Sequence, residues 1–499
     1  MKRASVEMFR ALYEGEKRLA DMAKHRLLEV LEALDGGVVP GALAPPRSEQ
    51  EGEVGNLIVN CGAGGVCHSN TMSTLRAPQC LIAAMTDFEK TTLPNGLRVV
   101  SEPMAGARSA SIGVWVGVGS RDEPADRSGA SHFLEHLLFK GTQDRSAREV
   151  AEMIDGVGGD MNAFTAREHT AFYARVPATA RTMATELLFD VVRRPALRQS
   201  DVDAERQVIN EELVAAYDTP DDVVHIVLYE TLFDRHSLGR EVLGEPETIN
   251  ALDSPEISEF HQRWYGPANL VIAASGDVDH EELCELATAR FGDLDANEKP
   301  QRQAPQSLTD ERIATALPVE QLHVAMGWRC IGHDDPRRYA LAVANQILGG
   351  SPSSRLFQSI REDQALAYSV FSQTSGYADT GSATVYAATS AQRGDELLAA
   401  LNTEIDKIVQ DGVTQRELDL ARTGFEGAVV LGLEGSGARM SRLATNEALR
   451  GRTLPIDDFL EQLAATTVDD VNDVIASVFG GPAVTSLVGP EQALEALSA

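Results

Sequence analysis

Residues 131–142 read Ser131-His132-Phe133-Leu134-Glu135-His136-Leu137-Leu138-Phe139-Lys140-Gly141-Thr142. Two histidines four residues apart lie one above the other on an α-helix, because the helix repeats every 3.6 residues. Both imidazoles can therefore hold one metal ion. Glu135 stands three residues after His132 and next to His136, where its carboxylate can reach a water on that metal. Phe133, Leu134, Leu137 and Leu138 predict that the same helix is largely buried. Polar groups on a buried helix need partners, and a metal ion supplies one. The order H-x-x-E-H is the inverted zinc-peptidase order and implies hydrolysis assisted by Zn2+. The plain alternative is a pair of structural histidines beside an unrelated acid.

A catalytic zinc site takes three protein ligands and leaves a fourth position open. The segment Asp203–Leu213, DAERQVINEEL, is helix-like and offers Glu205, Glu211 and Glu212. Glu205 and Glu212 are two turns apart and share a face, whereas Glu211 points about 100° away from Glu212. A solvated acidic helix fits the same letters. Spacing alone does not choose among the three.

With 499 residues, 43% hydrophobic and 24% charged, the chain has the composition of a globular protein with room for two or more domains. It has no run of 18 apolar residues, so no membrane span is expected. The N-terminus lacks the apolar core of a secretory signal, and the expected compartment is the cytoplasm. Five cysteines without a framework spacing read as reduced thiols. A net charge of −31 disfavours nucleic-acid partners. For a peptide-cutting chain it favours cationic substrates, provided the acids line the cavity.

Residues 1–86 look unlike the rest. Apolar residues at loosely helical spacing predict a helix over Val6–Leu34, and the Gly/Pro-rich stretch after it reads as linker. Either this is an added tethering segment or translation starts at Met85, the reading preferred here. Further on, the strand–loop–helix plan of GVWVGVGSRDEPADRSGASHFLEHLLF returns about 200 residues later in HVAMGWRCIGHDDPRRYALAVANQILGG, without the ligand set. The boundary between these copies is placed in the polar stretch Asp295–Gln306, giving units 87–300 and 301–499. Met161–Val176 alternates and carries β-formers, which predicts a hairpin or one long strand.

From Thr91 to Ala499 the chain resembles the pitrilysin-type metallopeptidases, and within them the β-subunit branch of the processing peptidases. The matching pieces come in order: TLPNGLRVVSE, SHFLEHLLFKGT, GGDMNAFTAREHTAFYARV, ERQVINEELVAAYDTPDD, HSLGREVLG and SSRLFQSIREDQALAYSV. The resemblance implies an α+β fold of two homologous lobes, each a sheet backed by helices, around a central chamber. It implies Zn2+ held by His132, His136 and Glu212, with Glu205 as a supporting acid and Glu135 as the base. It places extended peptide along an edge strand at Asn162, Ala163 and Phe164, and sets Arg361 and Tyr368 across the cavity from the metal. It also implies a homodimer, or a heterodimer with a related subunit. The glycine-rich loop typical of the α-subunit branch is absent. The competing expectation is a non-catalytic core or partner subunit, which the complete ligand set argues against.

Overall fold

The computed structural model describes residues 88–498. The helix expected over Val6–Leu34, the linker behind it and the Met85 boundary lie outside the described residues. The first half opens with β1 (Glu89–Thr92), β2 (Arg98–Pro103) and β3 (Ser109–Val116), followed by α1 (Ala130–Leu138) and α2 (Ala147–Asp155). The hairpin β4 (Asp160–Thr165) and β5 (Thr170–Pro177) comes next. Then come α3 (Arg181–Arg193), α4 (Gln199–Asp218), α5 (Pro220–Leu232), α6 (Pro246–Ala251) and α7 (Ser254–Trp264). Strand β6 (Leu270–Gly276) and helix α8 (His280–Phe291) close the half.

The second half repeats the plan. It has β7 (Glu311–Ala316), β8 (Gln321–Cys330) and α9 (Arg338–Leu348), then β9 (Ser369–Gly376) and β10 (Gly381–Ser390). Helices α10 (Gly394–Asp411), α11 (Gln415–Gly432), α12 (Ser436–Arg450), α13 (Ile456–Ala465) and α14 (Val468–Phe479) lead to β11 (Ala483–Gly489) and α15 (Glu491–Ser498).

Each half builds one sheet, in the orders β1-β2-β6-β3-β5-β4 and β7-β11-β8-β10-β9. The pairings correspond strand for strand. β2 and β6 are parallel, as are β7 and β11, and every other pair in the shared five strands is antiparallel. Among the described residues only β1 has no counterpart. The repeat read from two loop–helix segments is thus a repeat of whole sheets. The edge position expected for Asn162-Ala163-Phe164 is where β4 lies.

The halves do not pack independently. α5 leaves the first half and lies on the second sheet, with Val224, Leu228 and Leu232 against Ala325, Val484 and Val488. Its counterpart α12 crosses the other way, and Met440, Leu443 and Ala444 cover Val100, Trp115, Val271 and Ala273 of the first sheet. Glycines mark both crossings. A Cβ at Gly113 would meet the Trp115 ring at 2.2 Å, and one at Gly327 would press on Leu228 at 3.1 Å. Because each sheet is covered on both faces, β3 and β6 are buried almost throughout and read as near-continuous apolar runs. Polar contacts fix the exchange: Lys90 donates to the fully buried Glu447 carboxylate of α12 at 2.6 Å, and Arg439 pairs with Glu102.

Candidate metal centre

The metal-site helix is set by its first turn. The carboxylate of Glu123 accepts the backbone N–H groups of Gly129 and Ser131 at 2.8 and 2.6 Å, filling two of the orphan donors at the start of α1. Burial pushes the Glu123 carboxyl up to about 7, against these same bonds. Gly129 has φ +89, and a Cβ there would sit 2.8 Å from the Leu243 carbonyl oxygen, so the entry to α1 requires glycine. Phe133, Leu134, Leu137 and Leu138 are 0–1% exposed and key the helix into the first core. The side facing away carries His132 and His136, with ring centroids 4.6 Å apart.

Helix α4 crosses this side. Glu212 Oε2 lies 3.7 Å from His132 Nε2 and 3.6 Å from His136 Nε2. These separations are too long for hydrogen bonds and close to the edge of a tetrahedron of zinc ligands, about 3.3–3.4 Å for bonds near 2.0–2.1 Å. One donor atom from each of the three residues falls within a 4.8 Å cluster, and among the described residues this is the one such group of His, Cys, Asp or Glu. Glu211, one residue away, is exposed and outside it. Burial, and then the neighbouring His136, lowers His132 to about 3, so its ring stays neutral with a lone pair to give.

Glu205 is buried one level behind. It accepts from His136 Nδ1 at 3.1 Å, which leaves His136 Nε2 as the free lone pair, and it accepts from Lys140 Nζ at 2.5 Å. His132 Nδ1 is buried without a hydrogen-bond partner among the described residues. Glu135 is held from the hairpin, where the Thr165 hydroxyl donates to its Oε2 at 2.5 Å. Burial raises the Glu135 carboxyl above its usual range, and the Thr165 bond opposes that shift. Glu123, Lys140 and Thr165 were not singled out from the sequence. Glu123 acts only six and eight residues from its partners in the loop leading into α1, whereas Lys140 and Thr165 meet Glu205 and Glu135 across tertiary contacts.

β4 runs beside α1 along the sheet edge. The backbone of Asn162-Ala163-Phe164 is at that edge. The Phe164 ring is taken up in packing, 6.2 Å from Trp115 and 5.5 Å from His169. Arg361 and Tyr368 are together in the second lobe: the guanidinium stacks on the Tyr368 ring at 4.3 Å and donates to its carbonyl oxygen at 3.0 Å. Tyr368 is 74% exposed. Among the described residues no hydrogen bond, ion pair or ring contact joins this pair to the metal set. Cys284 and Cys330 are free thiols. No described helix is long and apolar enough to cross a membrane.

Fold and site together define a two-lobed metallopeptidase architecture with an N,N,O donor set on two crossing helices. Residues 98–246 match the model of the insulinase family, peptidase family M16, and residues 251–425 match that of the peptidase M16 inactive domain. The chain belongs to peptidase family M16. It is 41% identical to an uncharacterized zinc protease of Streptomyces coelicolor over 80% of this chain and 89% of that one. It is 35% identical to the uncharacterized zinc protease YmxG of Bacillus subtilis, over 81% and 98% of the two chains. Among solved structures, a protease from Helicobacter pylori superposes with a TM-score of 0.75 at 24% identity, covering 81% of this chain and 99% of that one.

Proposed function

We propose that this chain is a zinc-dependent endopeptidase, with the metal held by His132, His136 and Glu212. The observation that carries this is the set of three donor atoms, 3.6–3.7 Å apart where measured to Glu212 and not hydrogen-bonded to one another, beside the buried acid Glu135. Zinc bound there supplies a Lewis acid that lowers the pKa of water and polarises a carbonyl. The residues do the rest. Glu205 orients His136. Thr165 occupies one oxygen of Glu135 and leaves the other to take a proton from the attacking water and pass it to the leaving amine. Peptide in extended form adds to the open edge of β4, where backbone pairing accepts many sequences.

Residues 87–300 form the metal-bearing unit and 301–499 the homologous unit without ligands, and together they border a chamber for unfolded or short, cationic peptides. Tyr368 stands exposed and Arg361 half-buried, with no described contact to the metal set within one chain. A second copy or a related subunit that closes the chamber brings such a pair to the substrate carbonyl, with tyrosine donating to the oxyanion. The reading as a non-catalytic partner subunit keeps the fold and drops the chemistry. Zinc analysis together with cleavage of an Arg-rich presequence peptide, with and without chelator, tests the proposal. Zinc near one per chain and chelator-sensitive cleavage are expected; a zinc-loaded protein that leaves peptides intact overturns it.

A further inference from the structure

The turn Thr165–Thr170 between β4 and β5 touches both the active carboxylate of the first lobe and the second lobe. At its start, Thr165 is 3% exposed and its hydroxyl donates to Glu135 Oε2. At its tip, both carboxylate oxygens of Glu168 accept the backbone N–H of Ala378, at 3.1 and 3.0 Å, from the connection between β9 and β10. Arg121 donates to the same carboxylate at 2.5 Å and reaches across to Asp379 at 2.7 and 2.8 Å. Arg302, in the stretch joining the lobes, donates to the Glu168 carbonyl oxygen at 2.9 Å and to Asp122 at 2.8 and 2.9 Å. Glu168 and Arg121 are 3% and 4% exposed.

The turn backbone is clamped as well. Ala166 O and Arg167 O accept from Ser120 and Arg121 N–H at 3.2 and 2.8 Å. A Cβ on Gly119 would lie 2.1 Å from the Ala166 oxygen. A buried charge network of this kind has one well-satisfied arrangement, because loosening one member strands the others. The second lobe therefore fixes the turn, and the turn fixes the hydroxyl that holds Glu135.

We propose that Thr165 is a positioning residue for Glu135, and that Glu168 transmits the docking of the second lobe to it. This rests on the reading of Glu135 as the base. Thr165→Val removes the donor at nearly constant shape and Thr165→Ser restores it. The expected result is a fall in kcat of about 10-fold or more for Val, since small misplacements near the chemistry are costly. KM and zinc content should be unchanged, and Ser should recover to within about threefold of wild type. A crystal structure of Thr165→Val should show the Glu135 carboxylate moved from its wild-type position. Glu168→Gln, and the gentler Asp379→Asn, should speed hydrogen exchange over residues 160–170 and lower kcat. Added to Thr165→Val they should cause no further loss, because both act through one hydroxyl. An unmoved Glu135 or wild-type turnover in Thr165→Val overturns the positioning role. Losses that multiply in full overturn the transmission through the turn. If the zinc-loaded wild type cleaves no peptide, the peptidase reading fails on its own, and the Glu135 position in the variant crystals still decides this one.

Discussion

Glu135 and Glu212 have different proposed roles at one metal centre, and their loss should remove different things. Glu135→Gln keeps all three proposed ligands and removes the proposed base, so zinc should stay near one per chain while turnover falls at least about 10²-fold. Turnover and metal content measured on the same preparation check this; normal turnover excludes Glu135 from the proposed chemistry. Glu212→Gln removes a proposed ligand, and zinc affinity should fall by more than the roughly 10–100-fold typical of a residue that only orients a ligand. Glu211→Gln, on the exposed side of α4, should leave affinity unchanged, and competitive chelator titration separates the two. The grouping of His132, Glu135 and His136 was legible from five letters because it is local to one helix. The choice among Glu205, Glu211 and Glu212 was not, since it depends on how α4 crosses α1. Family resemblance made that choice, and the spatial cluster contains Glu212 and excludes Glu211. Thr165 was hidden for a similar reason: a threonine in a β-rich run reads as a strand former, and its hydrogen bond spans 30 residues.

At the scale of elements, spacing in the sequence marked α1, the Asp203–Leu213 part of α4 and the Met161–Val176 run, while the plan of sheets backed by helices came from the resemblance. α1 lies where the sequence set it, and the Met161–Val176 run is the hairpin β4–β5. Helices α5 and α12 were not read from the sequence, and an apolar stripe would not have given their destination, because it states that a face is buried and not against which sheet. Helix α7 gives this scale a pH test. Its buried His261 shares the Nε2 proton with the Val192 carbonyl oxygen at 2.8 Å and so ties α7 to α3. Burial dominates and lowers the ring to about 4, partly offset by that bond. A folded pKa below the unfolded value of about 6.5 means that its stability contribution is complete above pH 6.5 and is lost as the pH falls towards 4. At pH 5 the linkage costs about 2 kcal/mol. His261→Gln keeps a donor for Val192 and cannot titrate, so its urea midpoint should fall less than that of wild type between pH 7 and pH 5. Equal falls would assign the acid sensitivity to other groups.

The whole molecule is two copies of one plan that have traded a helix. From sequence alone the metal-bearing half looks separable, with the polar stretch Asp295–Gln306 as a natural cut. Residues 294–310 do run without helix or strand. The exchange argues against separation. A fragment of residues 87–300 retains every proposed ligand but loses α12, and with it the cover over Val100, Trp115, Val271 and Ala273. It also carries α5 with Val224, Leu228 and Leu232 and no second sheet to bury them. Two apolar faces of this kind, each the seat of a whole helix, exceed what a monomer leaves in water. The fragment is therefore expected to be insoluble or to bind a hydrophobic dye strongly, with metal binding well below one zinc per chain. Co-expression with residues 301–499 should rescue both, because each fragment then supplies the helix that the other lacks. A soluble, zinc-binding fragment on its own would show that the exchange is dispensable, and that the second lobe matters only for the reaction. The rescued pair separates these roles further: with the junction at Glu168, Arg302 and Asp379 also rebuilt, cleavage should return along with solubility.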